Sequence, residues 1–346
     1  MDNIGSSCHI ASALRCILSV RCVASRLRRF AAGEHSASAP ACSPPAAWWK
    51  GVLSALLDAL AREERAQEGP ERESARADAA SCFRAIASGL GTDRTLEDAH
   101  ETMGAILERS GLEDLFTGSA VTVVRCDNCG AATRSEEPFA FLTSSDAGGT
   151  GDALPGICKA LGDDAVAGYS CGACRSPRGS CTVSRRIGDF PEALAVRCSW
   201  PSPSPRDSSS APLALDLSLC AAKRGTASGG PGGPGGPASR VVYRMRSALV
   251  YQAAHYRAVA VSGDGTSAVV HDDGRSRVAT PRYLAPGPSG ACESLTVNRR
   301  SGQLHTAVYE KAVYRPPTAP PTGTAHGHRA SSTSDDLSTN RRRLSG

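Results

Sequence analysis

The sequence predicts an α+β fold, with helices in the first third of the chain and strands in the rest. Two observations indicate this division. Apolar residues recur at helical spacing from residue 7 to about residue 110, whereas β-branched residues alternate with other residues from residue 119, where AVTVVRC begins. A third observation is a pair of widely separated C-x-x-C motifs in the strand-rich part, which indicates a metal site there.

The helical third is predicted to contain four helices joined by polar segments. We expect helices over residues 7–29, over residues 47–66, in a short segment that begins at Cys82, and over residues 95–110. A loop rich in Ala, Ser and Pro is expected at residues 31–46, and a charged surface linker at residues 67–79.

The strand-rich part is interrupted once. Residues 182–200 are typical of a strand, and strands resume at Val241 and continue to about Tyr309. Between them, residues 201–240 are predicted to form a low-complexity insert, with a short strand or edge segment in APLALDLSL and a Gly/Pro-rich stretch after it. Residues 316–346 are predicted to be a disordered basic tail.

Composition narrows the class of protein. The chain has 346 residues, of which 40% are hydrophobic, enough for a sizeable core. Its net charge of +5 is spread along the chain and does not by itself indicate a nucleic-acid partner. The 14 cysteines are too unevenly spaced for a small disulfide scaffold. With no secretory leader or membrane span expected, we predict a reducing compartment, the cytoplasm and/or the nucleus.

A candidate nucleophile lies near the start of the chain. Cys8 follows a Gly-Ser-Ser turn and precedes a helix, where the unpaired N–H groups and the helix dipole favour a thiolate. Asn3, five residues earlier, is a candidate donor to a developing oxyanion. A buried structural cysteine is the alternative interpretation of Cys8.

A partner for this cysteine is predicted in the stretch YQAAHYRAVAVSGDGTSAVVHDDG. His255 begins one strand, and a Gly-Asp-Gly turn and a second strand return Asp272 and Asp273 towards it. Cysteine, histidine and acid in this chain order are the arrangement of a papain-like cysteine protease.

The two C-x-x-C pairs have the spacing of a tetrahedral site that four thiolates form. Each turn presents two sulfurs to one ion, and zinc is the metal that such a set usually binds. The four residues are Cys126, Cys129, Cys171 and Cys174. Four thiolates leave no open coordination position for water, so this zinc is predicted to be structural, and no catalytic cofactor is expected. Four free thiols, or a zinc knuckle that binds nucleic acid, are the alternatives.

Several blocks together resemble the ubiquitin-specific proteases, which are papain-like deubiquitinases. The matching segments follow the family order along the chain and are NIGSSCHIASALRC (3–16), DAHE (98–101), EEPFAFL (136–142), FPEALAVRCSW (190–200), the strand 243–250, His255-Tyr256, and Asp272 in HDD. One departure is Ala254, where the family usually has Gly.

This resemblance implies a fold and a division of the chain. It implies a papain-like catalytic domain over residues 1–315, with a helical thumb (1–117), zinc-bearing β fingers (118–186) and a β-sheet palm (187–315).

It also implies an activity, hydrolysis of the bond after the terminal glycine of ubiquitin, with Cys8 as nucleophile, His255 as base, Asp272 as orienting acid and Asn3 at the oxyanion. In the family, the residue matched by Asp98 contacts the basic tail of ubiquitin, and the residue matched by Tyr256 lines the channel for that tail.

The same residues allow plainer interpretations. Asp98 and Glu101 are also consistent with solvated charges at a helix start, and Tyr256 with a core residue. For the whole chain, the alternatives are a weak or inactive pseudo-protease that binds ubiquitin, and a zinc-dependent nucleic-acid or scaffold protein. The expected partners are ubiquitin and ubiquitinated proteins, with no membrane or nucleic-acid partner.

Overall fold

Six helices, α1 to α6, are present in the part of the chain that this computed structural model describes. The described residues are 7–34, 44–66, 68–91, 98–145, 153–175, 179–199, 208–220, 240–273, 275–278, 284–286, 292–298 and 302–312. The helices are α1 (Cys8–Leu18), α2 (Arg21–Ala31), α3 (Pro44–Arg65), α4 (Pro70–Leu90), α5 (Ala99–Ser110) and α6 (Ala153–Ala160). All of these elements belong to one compact unit.

The predicted helix over residues 7–29 is in fact two helices bent by 86°. The chain leaves helical geometry at Val20, whose backbone is extended, and the Ser19 hydroxyl donates to the Cys16 carbonyl at 2.8 Å. A serine that bonds nearby backbone in this way competes with helix continuation. No single described helix is long and apolar enough to span a membrane; only the bent pair reaches that length and composition.

The charged linker predicted at residues 67–79 is wrong, because most of it is the first half of α4. Ala75 and Ala79, four residues apart, are fully buried on the helix face that continues to Phe83 and Ile86. The charged residues lie outside this face, and Arg62–Asp78 and Arg76–Glu63 form ion pairs between α3 and α4. Alanine marks the buried face only weakly, which is why the charged residues dominated the sequence pattern.

Fifteen strands in the described residues form three sheets. They are β1 (Gly118–Cys126), β2 (Ala132–Phe139), β3 (Phe141–Ser145), β4 (Asp163–Tyr169), β5 (Gly179–Ile187), β6 (Ala193–Ser199), β7 (Ser208–Pro212), β8 (Ala214–Asp216), β9 (Val242–Gln252), β10 (His255–Val261), β11 (Ala268–Asp272), β12 (Arg275–Val278), β13 (Leu284–Pro286), β14 (Cys292–Asn298) and β15 (Gln303–Ala312).

The fingers are a four-stranded antiparallel sheet in the order β2-β1-β5-β4. The palm is an eight-stranded sheet in the order β12-β11-β10-β9-β15-β6-β3, with β8 also paired to β9. A small third sheet has the order β13-β14-β7. Helix α1 packs against β9, β10 and β11 of the palm and against α5, which places its N-terminus beside the palm sheet.

Strands of the palm and of the small third sheet also lie within two segments that the sequence analysis delimits differently. The range 118–186, predicted as fingers, also contains β3, which pairs in parallel with β6 of the palm. The short strand or edge segment predicted in APLALDLSL, within the insert 201–240, is confirmed as β8 and the end of β7, and Ala211, Leu213 and Leu215 are buried there. The rest of that insert and the predicted tail at 316–346 lie outside the described residues.

The loop that precedes His255 is a two-residue hairpin turn. Gln252 pairs with His255 across it, and both turn residues, Ala253 and Ala254, have positive φ, 48° and 62°. Two-residue hairpins of this kind prefer Asn-Gly or Gly-Gly, since the left-handed region disfavours a Cβ. The alanines therefore strain the turn that positions His255.

Replacing Ala254 by Gly should relieve part of this strain. The left-handed conformation costs roughly 1–2 kcal/mol per residue with a side chain, and the extra chain entropy of Gly offsets roughly 0.5–1 kcal/mol of that. We expect Ala254→Gly to raise the free energy of unfolding by about 0.5–1 kcal/mol, measured by urea denaturation. Ala260→Gly, in the extended part of β10, is the matched control and should lower stability; equal losses in both variants would contradict strain at the turn.

Candidate active site and metal centre

Cys8 is the first residue of α1 and is buried, with 3% of its surface exposed. The Ser7 carbonyl accepts the N–H groups of Ile10 and Ala11 at 3.1 and 3.2 Å, which closes the first turn beside the thiol. The first turn carries no acidic residue that would oppose a thiolate. The positive end of the helix dipole therefore acts on the sulfur without a competing charge in that turn.

His255 and Asp272 are brought together by the ends of two adjacent antiparallel strands. His255 begins β10 and Asp272 ends β11, and the His255 Nε2 lies 2.7 Å from the Asp272 Oδ1. Asp273 is farther away, with its Oδ2 at 4.0 Å from the same nitrogen. Because Nε2 faces the acid, the other ring nitrogen, Nδ1, is the one left for proton exchange with a thiol.

Tyr256 lies between Cys8 and the palm strand β15. It is buried in the same apolar cluster as Cys8 and stacks edge-on against His305 at 5.3 Å between ring centroids. Burial, then the charges of Asp98, Tyr251 and Cys8, raise the pKa of Tyr256 to about 12. Tyr256 is therefore a core residue close to Cys8, and its role in lining a channel for the ubiquitin tail stays a prediction.

Asp98 is a helix cap with further charged partners. Its Oδ1 accepts the N–H of His100 at 2.7 Å at the start of α5, and its Oδ2 lies 2.9 Å from Arg197 Nη2. His305 Nε2 is 3.4 Å from Oδ1. Asp98 is therefore not a freely solvated charge, whereas Glu101 is exposed. Binding of a basic ubiquitin tail by Asp98 stays a prediction, and it requires an incoming cation to compete with Arg197.

Sequence reasoning missed the residues that surround these predicted ones. Arg197 lies within a stretch interpreted only as a palm strand, and Arg257 follows Tyr256 with no pattern to single it out. The DAHE block includes His100, but no pattern in it indicates a separate role for this residue. Pairing across strands identifies such residues, and the sequence alone does not give that pairing. Asn3, the predicted oxyanion donor, lies outside the described residues.

The two C-x-x-C pairs lie in the hairpin turns at one end of the fingers sheet. Cys126 ends β1 and Cys129 follows in the turn to β2, while Cys171 and Cys174 lie in the turn between β4 and β5. The Sγ atoms of Cys126 and Cys174 are 3.9 Å apart, and those of Cys129 and Cys171 are 3.7 Å apart. All four sulfurs lie within 4.8 Å of one another.

This geometry fits a tetrahedral metal ion. A metal–sulfur distance of ~2.3 Å places tetrahedral ligands roughly 3.8 Å apart, which matches both closest sulfur pairs. The backbone N–H groups of Cys174 and Ala173 lower the pKa of Cys171, as expected for a knuckle that presents a thiolate. Cys181, opposite Cys126 in the ladder, is not part of this sulfur cluster. The four cysteines can therefore hold a metal such as zinc.

Comparison with known proteins gives a match of fold. No protein-family model and no curated protein matches the sequence significantly. A solved SAGA DUB module of Ubp8, Sgf11, Sus1 and Sgf73 bound to monoubiquitin is 13% identical with a TM-score of 0.61, and the match covers 91% of this chain and 69% of that chain. The same module bound to ubiquitin aldehyde is 14% identical with a TM-score of 0.62, over 91% and 70%.

A yeast SAGA DUB module structure is similar at 13% identity and a TM-score of 0.59, over 91% of this chain and 68% of that chain. Ubp8 is a ubiquitin-specific protease. The chain has a ubiquitin-specific protease fold. The resemblance and the α+β fold class predicted from the sequence are confirmed at the level of the fold, including a thumb, a palm and cysteine-bearing fingers.

The buried side chain of His100, two residues after Asp98, should make the free energy of unfolding depend on pH. Burial, then Arg197, lower the pKa of His100 to about 4, with His305 adding to the shift and Asp98 opposing it. The unfolded chain, with a histidine pKa near 6.5, therefore binds more protons than the folded protein as pH falls from about 6.5 to about 4. Stability contributed by neutral His100 is complete above this window and is lost as pH falls through it.

We expect His100→Gln to reduce this loss by up to about 1.4 kcal/mol per pH unit. Urea unfolding of both proteins at about pH 7 and about pH 5 measures the difference in slope. Identical slopes would show that His100 titrates normally in the folded protein.

Proposed function

We propose that this protein is a cysteine-type deubiquitinase that hydrolyses isopeptide or peptide bonds after the C-terminal glycine of ubiquitin. The observation that supports this best is the 2.7 Å contact between His255 and Asp272, held by the palm strands against which the Cys8 helix packs. A ubiquitin-specific protease fold with this set of residues favours a protease over a scaffold protein.

The proposed reaction begins when His255 takes the proton of the Cys8 thiol and the thiolate attacks the carbonyl carbon of the terminal glycine. The carbonyl π electrons move onto oxygen, and backbone N–H groups near the start of α1, with Asn3, stabilise the resulting oxyanion. When the intermediate collapses, the C–N bond breaks and the leaving lysine amine takes its proton from His255. A thioester to Cys8 remains.

Water completes the cycle. His255 removes a proton from water, the hydroxide attacks the thioester carbonyl, and the second oxyanion collapses with cleavage of the C–S bond. Cys8 leaves as a thiolate that shares the proton on His255. Throughout, Asp272 fixes the ring orientation of His255 and stabilises its cationic form.

Substrate recognition is proposed from the site and the neighbours together. Two of the similar structures contain ubiquitin or ubiquitin aldehyde, which supports ubiquitin and ubiquitinated proteins as the proposed partners here. Asp98 is proposed to bind the basic ubiquitin tail, and Tyr256 to line its channel. A thiol nucleophile operates in a reducing compartment, so we propose the cytoplasm and/or nucleus as the location.

A ubiquitin probe with a thiol-reactive C-terminus tests this function directly. We expect a covalent adduct at Cys8 in the wild-type protein, located by peptide mass spectrometry, and none in Cys8→Ala. His255→Ala should slow the adduct strongly, since it removes the base that generates the thiolate. Binding without an adduct would indicate a pseudo-protease. An absence of binding would favour the zinc-dependent nucleic-acid or scaffold alternative.

We further propose that Cys126, Cys129, Cys171 and Cys174 hold one structural zinc that stabilises the fingers. Metal analysis of protein purified under reducing conditions should give about one zinc per chain. Cys126→Ser or Cys171→Ser should lose the metal and lower the melting temperature, because structural zinc contributes folding free energy directly. Cys181→Ser, beside Cys126 but outside the cluster, is the matched control and should keep the metal. Metal-free wild-type protein would refute the assignment.

A further inference from the structure

Asp272 has a second charged partner besides His255. Its Oδ1 lies 2.7 Å from His255 Nε2, and its Oδ2 lies 2.9 Å from Arg257 Nε. Arg257 and Asp272 therefore form an ion pair. The Nε–H group of Arg257 is not aligned for a hydrogen bond. The Arg257 side chain is only 19% exposed, so water screens this pair less than a surface pair. Both carboxylate oxygens are thus held by β10 residues.

The register of the palm sheet places Arg257 there. Ala258 pairs with His271, so the next residues along the ladder, Arg257 and Asp272, lie directly opposite each other. Opposite side chains on antiparallel strands have Cβ atoms about 4.5–5.5 Å apart and share a face of the sheet. His255 is two residues before Arg257 and begins the same strand, so the strand alternation directs both side chains to the face of Asp272.

A cation beside Asp272 can determine which of two adjacent acids contacts His255. Asp272 and Asp273 are adjacent in the chain and lie 2.7 and 4.0 Å from the same imidazole nitrogen. Either carboxylate could accept a hydrogen bond from the imidazole, so a further contact must decide which of them does. Arg257 holds Oδ2 of Asp272 in an ion pair, which restricts rotation of the carboxylate and keeps Oδ1 towards His255. Arg275, opposite Asp272 on β12, is exposed to solvent.

We propose that Arg257 is a positioning residue that fixes Asp272 against His255 and so selects Asp272, rather than Asp273, as the acid of the triad. This inference rests on the proposed function, because its effect is exerted on proton exchange between His255 and Cys8. Arg257 itself contacts neither the nucleophile nor the substrate in this role. Its removal should therefore reduce turnover and leave substrate binding intact.

Steady-state kinetics on a fluorogenic ubiquitin substrate test the inference. We expect Arg257→Met, which keeps the unbranched apolar part of the side chain and removes the guanidinium, to lower kcat about tenfold with KM within about twofold. Arg257→Lys should recover part of the loss. Arg277→Met, an exposed arginine on β12, is the matched control and should keep the wild-type kcat.

A double-mutant cycle distinguishes positioning from a general structural role. Papain-like proteases use Asn as well as Asp at this place in the triad, so Asp272→Asn is expected to retain measurable turnover. If Arg257 acts through Asp272, Arg257→Met should have little further effect in the Asp272→Asn background and its full effect in the Asp273→Asn background. An equal loss in both backgrounds, or a kcat of Arg257→Met within about twofold of wild type, would overturn the proposal.

A measurement without ubiquitin separates this proposal from the proposed function. The rate of Cys8 alkylation by iodoacetamide at mildly acidic pH, followed on the Cys8 peptide, reports the thiolate that His255 sustains. Arg257→Met should slow it about tenfold, and this difference should vanish in the Asp272→Asn background. If wild-type protein does not cleave ubiquitin, the proposed function fails, while the alkylation rates still decide the role of Arg257: unchanged rates would refute it.

Discussion

The antiparallel register of β9, β10 and β11 is the constraint on which the candidate active site depends. Side chains alternate between sheet faces, so a slip of one residue would move His255, Arg257 or Asp272 to the wrong face. Two turns fix this register: Ala253-Ala254 on one side, and the Ser262–Ser267 turn on the other, where Ser262 N donates to Ser267 O at 2.9 Å. The strained alanines are tolerated because the surrounding ladder determines the turn.

Strand pairing and turns also form the candidate metal site. Each C-x-x-C pair lies in a hairpin turn of the fingers, and pairing of β1 with β5 brings the two turns to one end of the sheet. Without an ion, four neighbouring thiols would gain little from one another, so the hairpins alone give little reason for all four sulfurs to lie within 4.8 Å. A metal held by the four cysteines would supply that reason, and it would join strands that few apolar side chains stabilise, since β2 is exposed along almost its whole length.

How far the sequence predicts this structure depends on whether the signal is local. Cys8 at a helix start, the hairpin that pairs His255 with the acids and the two C-x-x-C turns are local patterns, and each was predictable. The break at Val20, the buried alanine face of α4 and the assignment of β3 to the palm depend on what packs against each segment. The pairings of Arg197 with Asp98 and of Arg257 with Asp272 depend on contacts between separate elements, which no local pattern encodes.

Fold similarity at 13–14% identity makes the site the only basis for arguing chemistry. Many sequences satisfy the packing of a palm and a thumb, because cores tolerate exchange of apolar residues when volume and pattern are kept. The groups around Asp272 are more restrictive, because a partly buried carboxylate needs partners for both of its oxygens, and here these are His255 and Arg257. In this chain His255 supplies a positive charge only when protonated, whereas Arg257 supplies one throughout the cycle. Arg257 can therefore keep Asp272 oriented towards His255 whether or not the imidazole carries a proton, as the proposed role of the third residue of a triad requires.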